Sequence, residues 1–182
     1  MYQNEKKISS EELFKGVVIH LTRDKVELDN GYKATREVIH HPGGVCIAAL
    51  DEEENVYMVK QFRYPFGTAL TELPAGKLEY GEDPLECGIR ELREEIGAEA
   101  ENMIYLGCLY PTVAYDTEVI HMYLAEDLHF GKQDLDEGEF LDVIKMPLKQ
   151  AFDMAMNNEL PDAKTQLAVL KAYAYKHGSD NK

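Results

Sequence analysis

Three carboxylates fall within five positions in the run Arg90-Glu91-Leu92-Arg93-Glu94-Glu95-Ile96-Gly97. On a helix Glu91 and Glu95 lie one turn apart, near enough to share an ion or to repel each other, with Glu94 a little further round. An acidic helix face is ordinarily a solvated one. Like charges one turn apart nevertheless cost stability unless something neutralises them. No Lys occurs between residues 78 and 131, so Arg90 and Arg93 are the only positive charges on this segment. Gly76 and Gly81 mark a preceding loop whose backbone curls closely around something. Carboxylates and backbone carbonyls are hard oxygen donors that suit Mg²⁺ or Mn²⁺ over zinc, and neither His nor Cys stands here at a zinc-like spacing. A divalent ion held in this way points first to phosphate chemistry.

The carboxylates need a helix to carry them, and its signals are complete. Asp83 is an N-cap, Pro84 takes the first helical position and Glu86 stands three residues after the cap. Gly97 supplies the stop. Leu85, Ile89, Leu92 and Ile96 recur at helical spacing, which predicts one apolar stripe facing a core. Around this helix the chain reads as strands. Val17-Val18-Ile19 opens one, and Val26 and Leu28 alternate toward the hairpin signal Asn30-Gly31, from which residues 32–40 return. His41-Pro42-Gly43-Gly44 breaks the chain, placing a boundary near residue 42. His40 and His41 are read as turn residues, because adjacent side chains diverge. Residues 45–50 form a short continuous apolar run, as in a buried strand. Further strands are predicted over 56–62, 103–109, 119–124 and 140–145, and helices over 147–158 and 162–176. The expectation is an α/β sandwich with a mixed sheet and outer helices over 43–182, preceded by a small antiparallel β segment over 1–42.

Composition limits the partners. A chain of 182 residues with 45% hydrophobic content has enough for one core and a small appendage. Its formal charge of −15 argues against long nucleic acids, which reward clustered Lys and Arg. A small anionic substrate remains compatible, because bound cations dominate the local field. No apolar run is long enough to cross a membrane, and the N-terminus lacks the apolar segment of a signal peptide. Cys46, Cys87 and Cys108 are odd in number and unpaired in spacing, which predicts reduced thiols in a cytoplasmic protein. Cys87, inside the acidic helix, is read as a packing thiol.

Gly76, five residues, Glu82, seven residues, Arg90-Glu91, an aliphatic residue, any residue, Glu94-Glu95, any residue and Gly97 together resemble a complete Nudix box. The family prefers a larger aliphatic residue where this chain has Ala98. The resemblance implies the Nudix α/β/α sandwich and hydrolysis of a nucleoside diphosphate linked to another moiety, with two or more Mg²⁺ or Mn²⁺ ions. By resemblance Glu91 and Glu95 are the principal metal ligands, the carbonyl of Ala75 adds another, and Arg90 pairs with a box glutamate to orient it.

Beyond the box, Val59-Lys60-Gln61-Phe62-Arg63-Tyr64-Pro65, Thr71-Glu72-Leu73-Pro74-Ala75-Gly76 and Asp162-Ala163-Lys164-Thr165 resemble the ADP-ribose pyrophosphatase branch. That likeness implies substrate contacts from Arg63 and Glu72. The hairpin bearing Arg36-Glu37 is similar to a segment exchanged between subunits in that branch, implying a homodimer in which Arg36 reaches the adenine half of the substrate. The acidic stretch 134–140 matches the branch's catalytic loop, implying Glu137 as general base and Glu139 as a further metal ligand, with Glu94 as the alternative base. One departure is Val113, where the branch usually carries proline. It leaves the distal sugar open, so another nucleotide sugar such as GDP-mannose, or a dinucleotide, is the alternative substrate. A non-catalytic nucleotide-sugar sensor is the third reading, and the intact glutamate set speaks against it.

Overall fold

The computed structural model describes residues 4–135 and 138–178. Glu137, the expected base, lies outside the described residues. Contacts divide the chain into two units, Met1–Gly43 with Tyr110–Val119, and Gly44–Leu109 with Ile120–Lys182.

The first unit is a three-stranded antiparallel sheet of β1 (Glu5–Lys15), β2 (His20–Leu28) and β3 (Lys33–His40), in that order. Asn30-Gly31 makes the expected turn between β2 and β3. Gly31 takes φ 80°, and the Asn30 side chain accepts from the Tyr32 amide at 3.0 Å. The strand expected to open at Val17 does not. Residues 17–19 form the turn between β1 and β2, closed by the Gly16 amide donating to the Ile19 carbonyl at 2.8 Å. The strand before it, β1, is exposed along nearly its whole length, so it carries no alternation for a sequence reading to detect. Residues 110–119, read from the sequence as part of the larger domain, group with this unit. They lie along the end of β3, where the Ile39 amide donates to the Tyr115 carbonyl at 2.7 Å and the Thr117 amide to the Ile39 carbonyl at 3.0 Å.

The second unit is built on β4 (Gly44–Leu50), whose residues are all buried. Its neighbours are β5 (Asn55–Arg63) and β9 (Ile120–Phe130), and the sheet runs β10 (Leu141–Pro147), β5, β4, β9, β8 (Ala98–Leu109). Two short strands join it: β6 (Thr68–Glu72) pairs with β5, and β7 (Ala75–Lys77) with β4. The β4–β9 pair is parallel and the others antiparallel, so the sheet is mixed, as expected. Period-two alternation sends the two sides of β4 into different cores. Val45, Ile47 and Ala49 pack with Cys87, Leu92 and Ile96 of α1 (Pro84–Ile96). Cys46, Ala48 and Leu50 pack with Leu148 and Ala151 of α2 (Leu148–Met156) and with Ala168 and Val169 of α3 (Ala163–His177). Helices therefore cover both faces of the sheet, giving the α/β/α sandwich.

Helix α1 starts and stops where the sequence signals placed it. Asp83 accepts from the amides of Leu85 at 2.9 Å and Glu86 at 3.4 Å, a cap of the kind worth about 1 kcal/mol. Gly97 closes the helix at φ 67°, donating to the carbonyls of Arg93 and Leu92. The predicted stripe is buried only in its second half, at Leu92 and Ile96. Leu85 and Ile89 are exposed, whereas Cys87, Gly88, Leu92, Glu95 and Ile96 are buried. The helix is rotated so that the Glu95 carboxylate, rather than Ile89, faces inward.

Candidate active site

That rotation requires room for Glu91 and Glu95, and β7 provides it. The Leu73-Pro74 bend leads from β6 into β7, with the Pro74 carbonyl accepting from the Ile47 amide at 2.8 Å. At Gly76 a Cβ atom would stand 1.8 Å from both the Cδ and Oε1 of Glu91. The space a side chain would fill holds the Glu91 carboxylate, and this is why the first box position is glycine. One residue earlier, the Ala75 amide donates to Glu95 Oε2 at 3.0 Å. Glu95 is only 3% exposed.

Arg90 organises the remaining acids. Its Nε and Nη2 donate to the two oxygens of Glu82 at 3.0 and 3.2 Å, and its Nη1 to Glu91 Oε1 at 2.7 Å and Glu94 Oε2 at 2.9 Å. Nη2 also reaches the Lys77 carbonyl at 3.4 Å. The hydrogen bond from Arg90 holds the Glu82 carboxyl below the usual range, and the surrounding acids keep Arg90 charged. Arg90 thus bonds to three box glutamates at once, Glu82, Glu91 and Glu94. Burial pushes the Cys87 thiol up to about 12, so it packs as a neutral group.

The charge balance is negative. Burial, then the neighbouring Glu91 and Glu139, push the Glu95 carboxyl up to about 8 against the opposing Ala75 hydrogen bond. Burial also raises Glu91, with Arg90 opposing and Glu94 and Glu139 adding to the rise. Glu139 follows Gly138, and its Oε1 accepts from Gln61 Nε2 at 3.1 Å. The Glu139 charge adds to the rise at both Glu91 and Glu95. Among the described residues, no three His, Cys, Asp or Glu side chains form a ready-made ion cage. Glu91 is held by Arg90, Glu95 by the Ala75 amide and Glu139 by Gln61.

This imbalance makes stability depend on pH in a defined direction. A carboxyl raised from 4.5 to about 8 favours the fold while protonated, and that contribution is lost as pH rises from about 4.5 through about 8. Glu72 and Glu82, which are held low, act only on the acid side, where their contribution is lost as pH falls below the ordinary carboxyl range. In EDTA the melting temperature is therefore expected to fall between pH 5 and about 8.5, and adding Mg²⁺ or Mn²⁺ at the upper end to restore it. Calorimetry across that range checks this; a melting temperature that is flat or rises with pH would remove Glu95 as the source of strain.

On β5 and β6, Arg63 donates through Nε and Nη2 to the two oxygens of Glu72 at 2.6 and 2.8 Å. Glu72 is 2% exposed, and its Oε2 also accepts from Lys164 Nζ at 2.5 Å. Both Glu72 oxygens are therefore engaged within the chain, by Arg63 and Lys164. Lys164, absent from the sequence-derived candidates, lies in the first turn of α3 and also pairs with Asp162 at 2.9 Å. Only the likeness of residues 162–165 to the branch hinted at it. Gln61 was likewise missed, since a glutamine in a strand gives no periodic signal. Arg36 belongs to the N-terminal unit, where Glu5 engages it through two hydrogen bonds of 2.9 and 2.6 Å.

A mixed sheet flanked by helices, with glutamates packed against a glycine strand, matches known proteins. The NUDIX domain family matches residues 40–169, and the chain belongs to the Nudix family. The chain is 41% identical over 167 residues to the ADP-ribose pyrophosphatase of Bacillus subtilis (strain 168), covering 91% of this chain and 90% of that protein. It is equally similar, 41% over 167 residues with the same coverage, to a methanol dehydrogenase activator of Bacillus methanolicus. Among solved structures, an ADP compounds hydrolase shares the fold with a TM-score of 0.83 over 98% of this chain and 97% of that one, at 18% identity.

Proposed function

We propose that this protein hydrolyses the diphosphate bond of ADP-ribose, with water, to AMP and ribose 5-phosphate. The reading is carried by the packing of the Glu91 and Glu95 carboxylates against β7, in a chain similar over nearly its full length to the Bacillus subtilis ADP-ribose pyrophosphatase. Divalent cations suit this region. The donors are all oxygen, and the buried negative charge exceeds what Arg90 balances. Glu91, Glu95, Glu139 and the Ala75 carbonyl would hold two or more Mg²⁺ or Mn²⁺ ions. Bound there, such ions neutralise a diphosphate and lower the pKa of water.

The chain's own groups do the rest. Arg63, fixed by Glu72 and 37% exposed, binds a phosphate oxygen through its outer edge. Arg90 orients Glu91 and Glu94. Glu137 takes the proton from the attacking water, with Glu94 as the alternative base.

The homodimer reading gains support from the N-terminal unit. Val26 is the only buried apolar side chain among the described residues 4–42, while Ile8, Phe14, Val17, Val18 and Ile19 are exposed. A sheet with so small a core is stabilised by a partner surface, and Arg36 would then meet the adenine half across the subunits. The free thiols of Cys46, Cys87 and Cys108 support a cytoplasmic location, and the charge of −15 supports a small-molecule partner over nucleic acid.

Val113, 83% exposed, keeps a second reading in view, in which another nucleotide sugar or a dinucleotide is the substrate. A panel of ADP-ribose, GDP-mannose and dinucleotides with Mg²⁺ or Mn²⁺, scored by released nucleotide and sugar phosphate, separates the two. Preference for ADP-ribose is expected. Preference for GDP-mannose would replace the substrate, and failure on every compound would favour a sensor.

A further inference from the structure

We propose that two glutamines, Gln133 and Gln61, are positioning residues that fix the two ends of the acidic loop, the first against α1 and the second against β5. The inference rests on the reading of Glu139 as a group of the site. A helix leaves its last carbonyls without partners inside the helix, and at the end of α1 they are taken by the loop. Gln133 Nε2 donates to the Glu95 carbonyl at 2.5 Å, and the Asp134 amide donates to the Glu94 carbonyl at 3.1 Å. The Gly131 amide donates to the Gly97 carbonyl at 2.6 Å. The residues receiving two of these bonds are the ones whose side chains face the site.

Gly97 shows how close this docking is. A Cβ there would stand 2.9 Å from the Gln133 nitrogen and 3.1 Å from the Gly131 carbonyl oxygen, both backbone atoms that cannot swing aside. The last box glycine therefore meets two demands, a left-handed helix stop and a seat for the loop. At the loop's other end, Gln61 sits opposite Leu141 in the β5–β10 register, and its side-chain amide donates to Glu139 Oε1. One amide sets where the loop leaves the helix, and the other sets how Glu139 is turned. Both positions need an N–H donor on a long stem, and at Gln61 that donor must also be uncharged. A carboxylate would repel the acceptor, and a cation at Gln61 would neutralise Glu139.

Three variants test this. Gln133→Ala removes a donor, Gln133→Lys returns one suited to a helix C-terminus, and Gln61→Met keeps the length of the side chain without the amide. With ADP-ribose and Mg²⁺, Gln133→Ala is expected to lower kcat by about 10–100-fold, the scale of partners that orient site groups. KM and the melting temperature in EDTA should change little, and Gln133→Lys should recover most of the loss. Gln61→Met should weaken Mn²⁺ binding, titrated without substrate by electron paramagnetic resonance, by about tenfold. Unchanged kcat in Gln133→Ala, a loss shared equally by Gln133→Lys, or a loss that follows melting temperature would overturn the role of Gln133. Unchanged Mn²⁺ affinity in Gln61→Met would overturn that of Gln61. If the wild type cleaves no compound in the panel, the proposed function fails, and the Mn²⁺ titration still decides the positioning claim for Gln61.

Discussion

Glu95→Gln is expected to lower kcat by about 10²–10⁴-fold, since a divalent ion stabilises developing phosphate charge by several kcal/mol and each 1.36 kcal/mol is tenfold in rate. The amide keeps an oxygen that can accept from the Ala75 N–H, so the local fold survives the change. It removes a carboxyl that burial and its acidic neighbours hold in its protonated form up to about pH 8. The variant should therefore melt no lower than the wild type in EDTA at pH 8, and higher if carboxylate repulsion dominates. Activity assays with Mg²⁺ and calorimetry in EDTA read the two effects separately. Full Mg²⁺-dependent turnover in the variant would show that Glu95 holds no ion. Glu91→Gln should behave similarly in rate, but it also turns the ion pair with Arg90 into a hydrogen bond to a neutral acceptor.

Gly76→Ala is expected to reduce turnover by at least about 10²-fold, the cost of moving a site group by roughly an ångström. The added Cβ would occupy the position of the Glu91 carboxylate, 1.8 Å from its Cδ. That carboxylate ends a flexible side chain, so it can swing away without unfolding α1. Its displacement takes Glu91 from Arg90 and from the pairing seen here with β7. A large loss of rate with a small change in melting temperature is the expected signature. Wild-type turnover would mean that Glu91 need not lie against β7, and a collapse in stability would mean that the strand cannot tolerate the shift.

These two variants also mark how far the sequence could be read. Helix α1 was legible to the residue at Asp83, Pro84 and Gly97, because caps and stops depend on neighbours within a few positions. Its buried face was legible only at Leu92 and Ile96. The spacing of Leu85, Ile89, Leu92 and Ile96 is a helical stripe on hydrophobicity alone, but Leu85 and Ile89 point outward and Glu95 inward. A stripe pattern assumes that carboxylates prefer water. It fails where the fold buries one beside a backbone amide and a glycine. β1 was missed for a related reason, since a strand exposed on both faces carries no alternation. Residues 110–119 fell in the wrong unit of the sequence reading because their hydrogen bonds reach back to Ile39, far away in the chain.

The sequence by itself determined the family, the acidic helix, its start and stop, and the identity of the box residues. All of these rest on residue types at short spacing, and short spacing is geometry that a helix or a turn enforces locally. Tertiary structure alone decided what each group is held by. Glu72 is buried under Arg63 and Lys164, Glu91 fills the space that Gly76 leaves, Gln61 holds the Glu139 carboxylate and Gln133 the Glu95 carbonyl. Those pairings join residues from different elements, so they depend on strand register and helix rotation. Both are settled by how the two cores pack on either side of β4.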